Sequence, residues 1–172
     1  TGFGGMGKTR LALQAGAELA DGDGDGVWFV DLSAVRDAAG LPEAVARVLG
    51  LSGEGDPLDL VRAHLADKRI LLLCDNVEQL LPDAAGLLAA VAGAGPGVRV
   101  LVTSREPVGL RGEQVYPLPP LASPAPSAAL ETVESLGTYD AAALFIARAS
   151  AADPRFAVDN GTAPALAAIC AR

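Results

Sequence analysis

The sequence predicts an α/β fold: a doubly wound, mainly parallel sheet followed by the start of a helical region. Three observations carry this. Short apolar runs alternate with helical patterns, the connections between them are brief, and the runs are nearly continuous rather than alternating. Strands of that kind are buried on both faces, as in parallel sheets covered by helices. The length of 172 residues corresponds to about one domain, and apolar residues make up 51%. Aromatics are only 4%, so the core must be built from Ala, Leu and Val.

Taken in order, Lys8–Ala20 reads as a helix and Val27–Leu32 as a buried strand. Pro42–Leu49 and Leu58–Ala66 are helical, with Pro42 suited to a first turn and Gly50 to a helix end. Arg69–Asp75 is the second strand, Pro82–Ala92 the next helix, and Val98–Thr103 the third strand. Val115–Leu118 reads as a fourth strand, limited by Pro117 to an edge. Pro119, Pro120, Pro124 and Pro126 then stiffen a connector. Beyond it, Tyr139–Ala151 and Ala163–Arg172 are helical, with Leu144, Phe145, Ile146 and Ala147 offering an apolar face. The expected organisation is an α/β domain over 1–117, a Pro-rich connector over 118–135 and a helical subdomain from 136 to 172. Because the chain opens on a Gly-rich loop and closes inside a helical pattern, it reads as a piece of a longer protein.

A net charge of −8 and a pI near 4.5 argue against binding nucleic acid or an anionic membrane through the overall field. An anionic ligand would need a local, preorganised site. Two cysteines, no CxxC and one histidine exclude a disulfide framework and a zinc cluster. His64 reads as an ordinary helix residue. No apolar run approaches the ~20 residues of a membrane span, and there is no signal peptide, so the expectation is a cytoplasmic protein without a membrane partner.

Gly2-Phe3-Gly4-Gly5-Met6-Gly7-Lys8-Thr9 fits G-x-x-x-x-G-K-[ST], the phosphate-binding loop of P-loop NTPases. Glycines let successive backbone N–H groups converge on a phosphate, and the following helix aims its N-terminus there. Lys8 would reach the β- and γ-oxygens, and the Thr9 hydroxyl would ligate Mg²⁺. The chain holds two lysines, Lys8 and Lys68, and one stands where the loop requires it. The cofactor-binding residues are therefore Gly2, Phe3, Gly4, Gly5, Met6, Gly7, Lys8, Thr9 and Arg10, with ATP or ADP and Mg²⁺ as cofactors.

Gly2, Gly4 and Gly7 also spell G-x-G-x-x-G, and Asp31 ends the next strand where a dinucleotide fold would hold a ribose. That alternative leaves Lys8 and Thr9 unexplained. It also leaves unexplained Asp75, which ends the apolar run Ile70–Cys74 in the form of a Walker B element and completes the metal set with Thr9. Asn76 stands where many hydrolases carry the acid that orients water. Glu78, two residues on, either serves that role or opens the next helix. Thr103, Ser104 and Arg105 end the third strand and would face the γ-phosphate, with Arg105 sensing its charge. The catalytic candidates are thus Lys8, Glu78 and Arg105. Asp21, Asp23 and Asp25 resemble half a calcium loop, but its twelfth position is Leu32 rather than Glu, so the segment reads as an acidic turn. Leu51-Ser52-Gly53-Glu54-Gly55 lacks the Gln of a transporter-ATPase signature.

With these residues in hand, the chain resembles the STAND class of signal-transducing P-loop NTPases, in the NB-ARC branch. Within it, the likeness is to the ATP-binding domain of bacterial LuxR-type and SARP-type transcriptional regulators. The strings that carry the resemblance are Thr1–Ala12, Val27–Leu32, Leu72–Glu78, Leu101–Pro107 and Tyr116–Leu121. It implies a switch in which ADP holds a closed form, ATP an open one, and slow Mg-dependent hydrolysis resets it. The loop positions carry over to Gly2–Thr9, the magnesium acid to Asp75 and the sensor arginine to Arg105. The strand that precedes the loop in this family is missing here. DNA would be contacted only by regions outside this stretch, and ATP-dependent self-association is a further expectation. The competing functions are a small-molecule phosphotransferase and a nucleotide-binding scaffold without hydrolysis.

Overall fold

Three parallel strands, β1 (Val27–Asp31), β2 (Ile70–Asp75) and β3 (Val98–Val102), pair in the order β1–β2–β3 in the computed structural model of the chain. The structure describes residues 1–20, 22, 24–125 and 132–171. They belong to two compact units, Thr1–Leu118 and Pro119–Arg172.

In the first unit the helices are α1 (Lys8–Leu19), α2 (Leu41–Val48), α3 (Pro57–Leu65) and α4 (Ala84–Ala92). Helix α1 contacts β1 and β2, α2 contacts β1, and α4 contacts β3. The side-chain alternation of β2 explains the two-sided packing. Ile70, Leu72 and Cys74 enter a core shared with Leu41, Val45, Val61, Leu65, Leu88 and Val91. Leu73 points to the other face, onto α1. There Gly16 is required by close approach, since a β-carbon on it would come within 2.6 Å of Leu73 Cδ1. Burial inside this core pushes the Cys74 thiol up to about 12, so it stays protonated and inert.

The α/β class and the parallel sheet agree with the sequence reading, but two-sided burial does not hold for every strand. It holds for β2; β1 and β3 keep partly exposed residues such as Phe29 and Leu101, and α1 packs on β1 and β2. Helix α4 begins at Ala84 rather than Pro82, and the Leu81–Pro82 peptide is cis.

The edge strand expected over Val115–Leu118 is not formed. Thr1 instead makes a single parallel bridge there: its N–H donates to Tyr116 O at 2.7 Å, and Leu118 N donates to its carbonyl at 2.8 Å. The bridge centres on Pro117, whose missing N–H faces away. Prolines 117, 119 and 120 stop any further ladder. Between this segment and the unpaired edge of β3 lies a largely apolar cleft of about 790 Å³, lined among others by Leu11, Ala15, Leu101, Val115 and Tyr116. It opens beside Thr1.

The second unit contains α5 (Val133–Gly137), α6 (Asp140–Ala152) and α7 (Ala163–Cys170). Helix α5 falls where the sequence reads as connector, and positions 126–131 of that connector lie outside the described residues. The core of this unit is made of Leu136, Ala142, Ala163, Leu166 and Ala167, with Ile146 and Phe156 packed against it. The apolar face expected on α6 is corrected: Ala142 and Ile146, one helical turn apart, turn inward, whereas Leu144, Phe145 and Ala147 are exposed. No helix among the described residues is long and apolar enough to cross a membrane.

Candidate functional site

The Gly-rich loop leads from the Thr1 bridge directly into α1. Gly5 and Gly7 adopt left-handed backbone, with φ of 79° and 86°, which suits glycine. Gly7 is the N-cap of α1 and offers no side-chain cap, and the first turn holds no acidic residue. The helix therefore presents its opening N–H groups and the positive end of its dipole to the loop. Lys8 bends back across it, its Nζ donating to Gly2 O at 2.8 Å and Phe3 O at 2.9 Å. The Phe3 N–H donates to Met6 Sδ at 3.1 Å, closing the turn on itself, while the Phe3 ring is 83% exposed. Arg10 is exposed on α1 and makes no hydrogen bond or ion pair among the described residues.

Asp75, at the end of β2, is buried, and its carboxylate is the hub of the site. Oδ1 accepts the Thr9 hydroxyl at 2.7 Å and also the Thr103 hydroxyl. Oδ2 accepts Nδ2 of Asn76 at 3.1 Å. Asn76 is the non-glycine residue with positive φ among those described, at 61°, and its N–H donates to Thr103 Oγ1 at 3.1 Å. Asparagine tolerates that conformation better than most side chains. Strand pairing then continues past β3, with Thr103 N on Cys74 O and Val77 N on Thr103 O. The 3₁₀ turn Val77–Leu80, anchored by buried Val77 and Leu80, is thus fastened to the end of β3. Gln79 Nε2 ties it to the other flank by donating to Leu32 O and Val35 O.

Thr9 and Asp75 are brought together, and Lys8 rests on the carbonyls of the Gly-rich loop. Thr103 and Ser104 are not placed as anticipated. Both are buried: Thr103 donates to the Asp75 oxygen that also accepts Thr9, and Ser104 Oγ accepts from Glu106 N at 3.2 Å. Arg105 alone projects, 68% exposed, with Nε 3.2 Å from Glu78 Oε1. Its Nη2 lies 3.8 Å from where a β-carbon on Gly4 would stand, so the guanidinium hangs over the Gly-rich loop. Asp31 sits opposite Asp75 in register, but its Oδ1 accepts from Ser33 N at 2.8 Å. Bonds from the Ser33 hydroxyl and N–H hold its carboxyl below the usual range, so it is committed to its own turn. Asp21 and Asp23 of the acidic turn lie outside the described residues. Asp25 accepts Arg69 N and pairs with Lys68. Asn76 and Gln79 escaped the sequence reading as structural members of the site. The one local signal was an asparagine directly after a strand-terminal acid.

No family model matches the chain. Proteins named as HTH-type transcriptional regulators in Mycobacterium tuberculosis and Mycobacterium bovis are 35% identical over 175 residues, covering 99% of this chain and 18% of theirs. The regulatory protein AfsR of Streptomyces griseus is 38% identical over 114 residues, covering 60% of this chain and 11% of its own. The chain resembles a segment of bacterial transcriptional regulators. It spans less than a fifth of the length of these named relatives. Among solved structures, the Aeropyrum pernix ORC2 protein in ADPNP–ADP complexes has a TM-score of 0.44 at 16% identity, covering 59% of this chain and 32% of that one. At that score the likeness carries no argument, and the fold assignment rests on the parallel sheet itself.

Proposed function

We propose that residues 1–118 bind ATP or ADP with Mg²⁺ and serve as a nucleotide-dependent switch within a transcriptional regulator, in the manner of the STAND class and its NB-ARC branch. One observation carries this reading: the Thr9 hydroxyl, on the first turn after the Gly-rich loop, meets the buried carboxylate of Asp75 at 2.7 Å across 66 residues. A dinucleotide site has no use for that pair, whereas a magnesium–phosphate site needs one hydroxyl and one carboxylate side by side. The donor set of hard oxygens fits Mg²⁺, which takes its remaining ligands from phosphate and water. Bound there, the ion would neutralise charge between the β- and γ-phosphates.

The chain's own residues divide the work. The α1 N-terminus and the loop amides hold the β-phosphate. Lys8, whose ammonium rests on the loop's own carbonyls, turns to the β- and γ-oxygens. Asn76 and Thr103 keep the Asp75 carboxylate oriented toward Thr9. Arg105 meets the terminal phosphate from the far side. The same reading assigns DNA contact to other regions of the regulator, ATP-dependent self-association as the output, and a cytoplasmic location.

Slow hydrolysis would reset the switch. A second reading, binding without hydrolysis, is favoured by Glu78, whose Oε2 is shut off from solvent and has no hydrogen-bond partner. Titration of Mg-ATP and Mg-ADP into the chain, beside Lys8→Ala, tests nucleotide binding: tight binding lost in the variant is expected, and equal affinity overturns the assignment. Single-turnover assays with ATP separate slow hydrolysis from none.

A further inference from the structure

We propose that Glu78 is a positioning residue for Arg105, holding the guanidinium over the phosphate loop so that the site distinguishes a nucleoside triphosphate from a diphosphate. The inference rests on the nucleotide reading above and deepens it.

Three observations support it. First, the two ends of the pair differ in freedom. Glu78 stands on a 3₁₀ turn buried through Val77 and Leu80 and bonded to the end of β3, and its side chain is only 20% exposed. Arg105 stands two residues beyond Thr103 and is 68% exposed. A fixed carboxylate therefore restrains a long, otherwise mobile cation. Second, the guanidinium is shared by its two edges. Nε lies 3.2 Å from Glu78 Oε1 in an ion pair, while Nη2 reaches 3.8 Å from the β-carbon position of Gly4. The planar fork lets one edge be anchored while the other stays free for a terminal phosphate, an arrangement lysine cannot reproduce. Third, Glu78 is poorly placed to work on water. One oxygen is engaged by Arg105, and the other is closed to solvent. A general base must reach the water it orients.

The charge logic is consistent with this. An anion adjacent to the γ-phosphate would ordinarily repel it, but pairing with Arg105 cancels that charge locally. It also removes part of the ordering entropy that triphosphate binding would otherwise cost. A diphosphate, ending one phosphate short of Arg105, gains nothing from the pair.

The test is the ratio of affinities for a non-hydrolysable ATP analogue and for ADP, both with Mg²⁺, measured on the full chain by calorimetry. In Glu78→Gln, which keeps the side-chain shape, the analogue-to-ADP preference falls about two- to fivefold, the range of a partly exposed ion pair. Arg105→Met loses the preference, and adding Glu78→Gln to it changes the ratio no further. Arg105→Lys alters an exposed side chain and leaves the half-buried Glu78 carboxylate untouched. It keeps the charge without Nε, so it too loses the preference. A ratio unchanged in Glu78→Gln, with slower single-turnover hydrolysis, overturns the proposal in favour of a role on water. A ratio that rises overturns it as well, since the pair would then compete with phosphate. Arg105→Lys with the full preference has the same consequence. Binding of ADP in the parent that is lost in Lys8→Ala keeps those failures distinct from failure of the nucleotide reading. Absence of any nucleotide binding in the parent overturns both.

Discussion

Helices α1 and α3 of the same unit begin in opposite ways. Helix α3 meets its own needs: Asp56 accepts Leu58 N at 2.7 Å, Pro57 occupies the first turn without wasting a donor, and Asp59 adds negative charge at the positive end of the dipole. Helix α1 starts from a left-handed glycine with no side-chain cap, no acid in the first turn and a lysine as its first residue. The backbone donors of Val108, Gly109 and Leu110 follow the first pattern, since all three are satisfied by the carboxylate of Glu113 at 2.9, 2.7 and 3.1 Å. Within one small unit, N–H groups are thus closed by the protein's own acids in two places and left open in a third. A cap contributes about 1 kcal/mol and a matched dipole charge about 0.3–1 kcal/mol, so the start of α1 forgoes stability in order to present positive potential.

The contrast can be broken at the open end first. Lys8→Ala should weaken Mg-ADP binding by roughly one to two orders of magnitude, the value of a buried charge-assisted contact, as read by calorimetry. Gly7→Ala should cost roughly 1–2 kcal/mol in urea unfolding, because a β-carbon is forced into a left-handed position, and should weaken nucleotide binding along with stability. At the closed end the effects should separate. Asp56→Ala should cost about 1 kcal/mol of stability and leave nucleotide affinity where it was, since α3 gives its N-terminus no ligand to bind. A change in affinity there would erase the distinction between the two helices.

The smallest effect concerns pH. Burial raises the Glu113 carboxyl, but its three backbone donors outweigh that, and its folded pKa lies below the ordinary 4.5. A carboxyl depressed on folding stabilises the native state above its unfolded pKa and loses that contribution as pH falls through the folded value. Unfolding midpoints of the parent and Glu113→Gln should therefore differ most at neutral pH and converge in acid, once the folded carboxyl is protonated. A gap that persists in acid would mean the carboxylate charge is not what closes the 108–110 turn.

Much of the first unit was legible because its signals are local. The apolar run ending in Asp75 and the spacing from Gly2 to Thr9 are read within a dozen residues each, and both appear where expected. The second unit was harder. The run Leu144–Ala147 is apolar, but which of its residues turn inward depends on the position of α5 and α7, and Ala142 with Ile146 took that face. Val115–Leu118 has strand composition, yet a strand needs a neighbour, and it has a single bridge to Thr1. Thr103 sits at a strand end, where side chains of a doubly wound sheet face ligand. Its hydroxyl is committed there to the buried Asp75 carboxylate, which needs donors.

By itself the sequence determined the order of the main helices and strands from α1 to β3, the class of sheet and the residue types of the Gly-rich loop, because periodicity, glycine placement and strand-terminal acids act through the nearest few residues. Only the tertiary structure decided which of those residues meet. Thr9 and Asp75 touch across 66 positions because α1 folds back onto β2 through Gly16. Arg105 finds Glu78 because the turn after β2 is hydrogen-bonded to the end of β3. Such contacts depend on pairing and close packing between distant segments, and one-dimensional spacing does not encode them.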